Sequence, residues 1–306
     1  MLNDVIERVR SPKLREQLLD IAGQVQNLGV ISQSKVYYVW KGGDDSTGEN
    51  WARAFTTIAG AIAAHKAYRA TQTYKSVNTY ILIAPETYEE NIVDLPYSCT
   101  MIGLGVLGTD KATEIHPVVG SCMAGTVSGL KMYNISFQGG TGTADTLDFN
   151  ICNNVHIEGC EFYPGAVNSN AAISTQNCGM SVFRNNWILT QAALYYTYGF
   201  YFGGGADKYC IANKVEDNLI TGLAETGTGI HVAADCTCSG QTIFRNNVIR
   251  LSGAGTGIAD LNDGVLCIQN KIFTIGGTGL DANEDLAIDN FHNNGTTTVH
   301  YPSQTD

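Results

Sequence analysis

The sequence predicts an all-β fold, a parallel β-solenoid, and three observations carry that expectation. A motif recurs at irregular intervals along residues 125–294. Glycine is abundant, with 34 in 306 residues, whereas proline is scarce at 6. Charged residues make up 15% of the chain, well below the roughly 25% of an average globular protein. Hydrophobic content of 44% excludes a disordered chain, and a net charge of −11 argues against a nucleic-acid partner.

The repeat has an Asn-x-x-apolar theme. It reads Asn134-Ile-Ser-Phe137, Gly159-Cys-Glu-Phe162, Asn185-Asn-Trp-Ile188, Asp217-Asn-Leu-Ile220, Asn246-Asn-Val-Ile249 and Asn270-Lys-Ile-Phe273. Successive spacings are 25, 26, 32, 29 and 24 residues. A second series, Gly227-Thr-Gly-Ile230, Gly255-Thr-Gly-Ile258 and Gly277-Thr-Gly-Leu280, runs beside it. Short apolar strands separated by Gly and Asn at such intervals describe coils stacked about 4.8 Å apart. Stacking places equivalent residues over one another, so a recurring Asn can form an amide ladder. It also tolerates the left-handed backbone of a tight corner. A propeller would need four strands per repeat, and a leucine-rich repeat would need regular Leu.

Three zones follow. In residues 1–34, Ser11-Pro12 starts a helix, and Leu14, Leu18, Ile21, Val25 and Leu28 form a short heptad seam. A helix this short must dock, either as a cap on its own domain or as an assembly or anchor segment. Residues 35–306 form the β-helix domain. Val36–Trp40 reads as its first strand, residues 50–64 as a capping helix, and the coils as about 78–295. The tail from Phe291 to Pro302 is expected to cap the far end, because an uncovered sheet edge invites polymerisation.

Residues 1–20 carry charges throughout and no apolar core of the signal-peptide type. The nine cysteines, with no CxxC pair, therefore read as reduced, buried small hydrophobes. The sequons at Asn134 and Asn294 then carry no weight. The uncharged run from Trp187 to Gly205 alternates like strands and is a poor membrane span. No membrane partner, metal or cofactor is expected.

Residues 36–104 resemble the opening of the pectate-lyase-like superfamily of right-handed parallel β-helices. The likeness rests on the strand Val36–Trp40, the Gly/Asp loop Gly42–Gly48, the segment Asn50-Trp-Ala-Arg-Ala-Phe-Thr-Thr-Ile-Ala-Gly-Ala61, and Ile83-Ala-Pro-Glu-Thr-Tyr-Glu-Glu90. It implies the fold, a right-handed parallel β-helix entered through a capping helix, to which the segment 1–34 adds a short N-terminal helix. It leaves function open among lyases, glycoside hydrolases, phage tailspikes and non-catalytic virion proteins.

Chemistry is thinly marked. A glycoside hydrolase needs two carboxylates about 5–9 Å apart. Asp235, Asp263 and Asp285 each follow the apolar residue of the Gly-Thr-Gly series by five positions, so they are the catalytic candidates if there is an enzyme. A repeated turn Asp is the plainer reading. Asp260, Asp281 and Glu284 could join such a cleft, with Glu158, Glu161 and Glu216 as looser candidates. Arg184 and Arg245 share their place in two FRNN segments, which suggests a repeated outward position rather than a catalyst. His231 reads as structural, and Asp44 and Asp45 as a solvated turn. Trp187, Tyr195, Tyr196, Tyr198 and Tyr201 belong to an aromatic run suited to a core, a subunit interface or a glycan surface. Strand alternation puts Tyr196, Tyr198 and Phe200 on one face and Tyr195 and Tyr201 on the other.

The expected function is that of a non-catalytic structural protein of a bacteriophage particle, a capsid decoration or tail component located in the virion. Its expected partners are further copies of itself in a homotrimer, major capsid or tail proteins, and a surface glycan. The resemblance implies the viral setting and the trimer. The alternative is a tailspike-like receptor-binding protein that binds or degrades glycan.

Overall fold

The computed structural model describes residues 35–301 apart from 73–77, 143, 168, 192, 204–207, 235, 240–241, 261–264, 283–286 and 294–297. They form a parallel β-helix of three long sheets. Sheet A runs from Lys35–Val39 through Thr79–Ile83 and Cys99–Gly103 to Ala287–Ile288. Sheet B runs from Thr87–Tyr88 to Asn290–Asn293, and sheet C holds the longer strands, such as Ser169–Gly179 and Tyr196–Phe202. Every described pairing between named strands is parallel except the last, in which Asn290–Asn293 meets Thr298–Tyr301 antiparallel.

Two adjacent positions at one corner explain the repeat. Between sheets A and B the chain turns on one left-handed residue: Asn134, Asn185, Asp217, Asn246, Gln269 and Asp289 all have φ between 51° and 58°, with Gly159 at 64°. Asn and Asp tolerate this region better than other side chains with a Cβ. The next residue is the ladder position. Asn186, Asn218, Asn247, Asn270 and Asn290 are buried, and each of the first four Nδ2 atoms donates to the Oδ1 of the following rung at 2.9–3.1 Å. Each of these amides also donates to a backbone carbonyl of an earlier coil, as Asn247 does to Val215 at 2.9 Å. The expected amide ladder is therefore present, with one correction. Asn270 is a ladder residue, not the corner, so the true quartet is Gln269-Asn270-Lys271-Ile272. Its strand register, Lys271 opposite Val248 and Ile272 opposite Ile249, leaves no other alignment.

Inside, equivalent residues stack. Met101, Met132, Ile157, Phe183, Val215 and Phe244 form one column on sheet A. Leu147, Ile173, Phe200, Ile230 and Ile258 form another on sheet C. Cys152, Cys178 and Cys210 share a third register. The eight cysteines whose side chains are described are free and buried, as expected. Burial pushes the Cys178 thiol well up, so it behaves as an inert hydrophobe. Asn134 is buried too, its amide donating to Gly103 and Gly105 carbonyls at 2.7 and 2.8 Å, so the first sequon is closed to modification in the fold.

The cap differs from expectation in its bounds. Trp51–Arg53 is a single 3-10 turn capped by Asn50, Phe55 bridges to Val39 as β structure, and the α-helix spans Ile58–Ala70. Thr57 is the reason, since its hydroxyl accepts from Gly60 N and fixes the start there. Glu90 completes the N-terminus by accepting from Ile58 N at 2.7 Å and Ala59 N at 2.8 Å. The helix buries Ile58, Ala61, Ile62 and His65 over the first coil. The heptad segment 14–28, with Leu14, Leu18, Ile21, Val25 and Leu28, lies outside the described residues.

Candidate functional site

Two of the looser acid–base candidates, Glu158 and Glu216, have structural partners. Glu158, Arg184, Glu216 and Arg245 stand in one register on the outer face of sheet A, an alternating Glu–Arg–Glu–Arg column. Arg184 Nη2 donates to both oxygens of Glu158 at 3.0 Å, and Arg245 Nη2 meets Glu216 Oε1 at 3.0 Å. His156 Nε2 adds a contact to Glu158 at 2.9 Å. Burial alone would push the Glu158 carboxyl up, but the bonds from His156 and Arg184 outweigh it and hold the group at about 2. Asp44 and Asp45 are turn residues, Asp45 accepting from Thr56 N at 2.9 Å.

The aromatic run divides differently from simple alternation. The register shifts between Tyr196 and Tyr198, so Tyr196, Phe200 and Phe202 are buried inside the helix while Tyr198 and Tyr201 stay partly exposed. Tyr196 is thus corrected from a surface contact to a core residue, its hydroxyl paired with Thr146 Oγ1 at 2.7 Å. Tyr195 remains half-exposed. Outside sheet C, Tyr198, Tyr201 and His231 form a tight aromatic cluster with ring centroids 5.1–5.4 Å apart. Burial lowers the His231 pKa and favours the neutral ring. Asp235, Asp263, Asp285 and Glu284 lie outside the described residues, as do the side chains of Asp260 and Asp281.

A cleft of about 580 Å³ opens on the outer face of sheet B. Its floor is one register column, Thr87, Glu114, Ser136 and Glu161. Gln138 and Tyr163, paired two residues further along, form one side. The opposite wall is the loop 104–113, which folds on itself through Val106 N to Lys111 O at 2.9 Å. Its tip, Gly108 at φ 70°, reaches across and donates N–H to Glu161 Oε2 at 3.0 Å. Tyr163 OH donates to the same oxygen at 3.4 Å. Thr87 Oγ1 donates to Glu114 Oε2 at 2.7 Å. Burial and the neighbouring Glu161 carboxylate push the Tyr163 phenol up to about 12, so it stays a donor through neutral pH. Trp187 follows Glu161 in the same column and is 45% exposed. Of this set, the sequence had pointed only to Glu161 and Trp187. Glu114 and the loop carried no repeat or motif signal.

Among the described residues no group of three or more His, Cys, Asp or Glu side chains is placed to hold a metal ion. No helix of the described residues is long and apolar enough to cross a membrane.

No family model matches the chain, and no curated protein matches it. Among solved structures, the chain is similar to pectin methylesterase from carrot, at 14% identity and a TM-score of 0.35, over 82% of this chain and 85% of that one. The likeness is one of architecture.

Proposed function

We propose that the chain is a non-catalytic structural component of a bacteriophage particle, a capsid decoration or tail protein that works as a homotrimer in the virion. The observation that carries the non-catalytic reading is the Glu–Arg–Glu–Arg column on sheet A. The repeated arginines and two of the glutamates that could have served acid–base chemistry are bound to one another as rungs of the coil stack. Such groups brace a rod. The heptad seam read at 14–28 and the sequence resemblance support the particle setting, and the stacked ladders suit the stiffness a surface component needs. Quantitative mass spectrometry of purified particles tests this. The protein should appear at a fixed ratio to the major capsid protein, and its absence from particles would overturn the proposal.

The second reading is a tailspike-like receptor-binding protein that binds or cleaves glycan. The cleft on sheet B favours it. Glu114 and Glu161 are two rungs apart there, roughly 10 Å between backbones, near the upper limit for an inverting pair of glycosidase carboxylates.

A further inference from the structure

We infer that the cleft on sheet B is a binding site for a neutral or N-acetylated oligosaccharide, with Trp187 as its stacking platform. The inference rests on the second reading for a saccharide partner and is independent of the particle setting. A sugar ring presents hydroxyls on its edge and a patch of C–H bonds on its face, so its site needs polar groups beside an exposed aromatic ring. Both stand on the outer face of sheet B. The amides of Gln138 and Gln191 line the cleft with the hydroxyls of Ser136 and Thr109. Amides and hydroxyls both donate and accept, which matches the mixed demand of sugar hydroxyls. One rung beyond Glu161 stands the indole of Trp187, 45% exposed and able to stack on the C–H face of a ring.

Charge sets the class. Glu114, Glu161 and Asp110 line the cleft, and among the described residues no Lys or Arg does. A uronate would meet like charge, whereas a neutral or N-acetylated unit would not. The walls are also fixed in advance. Gly108 ties the loop to Glu161, and the floor consists of paired strands, so little ordering is left for binding.

The test uses the full chain on an array of neutral, N-acetylated and uronate-containing oligosaccharides. Tryptophan fluorescence titration then follows with tri-N-acetylchitotriose, cellotriose, maltotriose and trigalacturonate. The expected result is binding of a neutral or N-acetylated glycan in preference to the uronates, with a shift in Trp187 emission retained in a Trp40→Phe, Trp51→Phe background. Trp187→Ala and Gln138→Ala should each weaken that binding at least tenfold while melting with the parent. Binding that both variants leave unchanged would overturn this site while sparing a glycan partner. Preference for trigalacturonate would overturn the assigned class, and silence across the array would overturn the site together with the second reading.

Discussion

A single amide of the ladder does the work of several bonds. Asn247 Oδ1 accepts from both the backbone and side-chain nitrogens of Asn218, at 3.1 and 3.0 Å, while its own amide serves Val215 and Asn270. Replacing it by Ala strands buried donors on one side and a carbonyl on the other. Asn247→Ala should therefore lose about 3–4 kcal/mol in urea unfolding, since each orphaned buried group costs roughly 1–3 kcal/mol. Glu158 gives a pH signature. Its folded pKa, near 2, lies below the ordinary 4.5, so its stabilisation is complete above about pH 4.5 and is lost as pH falls towards 2. A depression of that size corresponds to roughly 3 kcal/mol. Glu158→Gln should remove that part of the acid sensitivity, while costing stability at neutral pH because Arg184 loses its charged partner. Denaturant melts at pH 7 and pH 3 check both halves.

At the scale of elements, glycine columns set how closely the sheets approach. Gly229, Gly257 and Gly279 of the Gly-Thr-Gly series follow one another in sheet C, and the column reaches back to Gly199. A Cβ at Gly257 would sit 2.5 Å from Ile272 Cγ2 and 2.6 Å from the Gly279 carbonyl. Gly257→Ala should then cost about 3 kcal/mol or more, in the range of overpacked cores, whereas Gly276→Ala meets open space and tests only its positive φ. The capping helix depends on one side chain from outside itself. Glu90→Ala removes the acceptor of two N-terminal amides and should cost about 1 kcal/mol, read as earlier exchange of the Ile58 and Ala59 amides.

The same elements show what the sequence could and could not reveal. The coils were legible because corner and ladder residues recur beside an apolar position that must face the core. The slip at Asn270 arose because corner and ladder positions both favour Asn, and only pairing tells them apart. The Glu–Arg column stayed hidden although Glu158, Arg184, Glu216 and Arg245 each stand directly before an aligned quartet, because alternating charges do not read as a repeated residue type. The cleft was hidden for a different reason. Its wall is a loop that leaves sheet A at Gly103 and lands on Glu161, two sheet-B strands beyond Glu114, a contact that no local pattern encodes.

For the whole molecule, the helix Ile58–Ala70 covers the first coil, and at the other end Thr298–Tyr301 returns antiparallel along the last strand of sheet B. The proposed trimer is assigned to the heptad segment rather than to a sheet edge. If the heptad segment drives it, replacing Leu18, Ile21 and Val25 with Ser should break the trimer in analytical ultracentrifugation while leaving the β-helix circular dichroism unchanged. A trimer that survives this change would make the segment a cap. The most direct single measurement is an electron cryomicroscopy reconstruction of the intact particle. Rod-shaped densities grouped by threes on the capsid or tail, with coils stacked at about 4.8 Å, are the predicted result. A particle whose density is fully accounted for by other proteins would contradict the virion role.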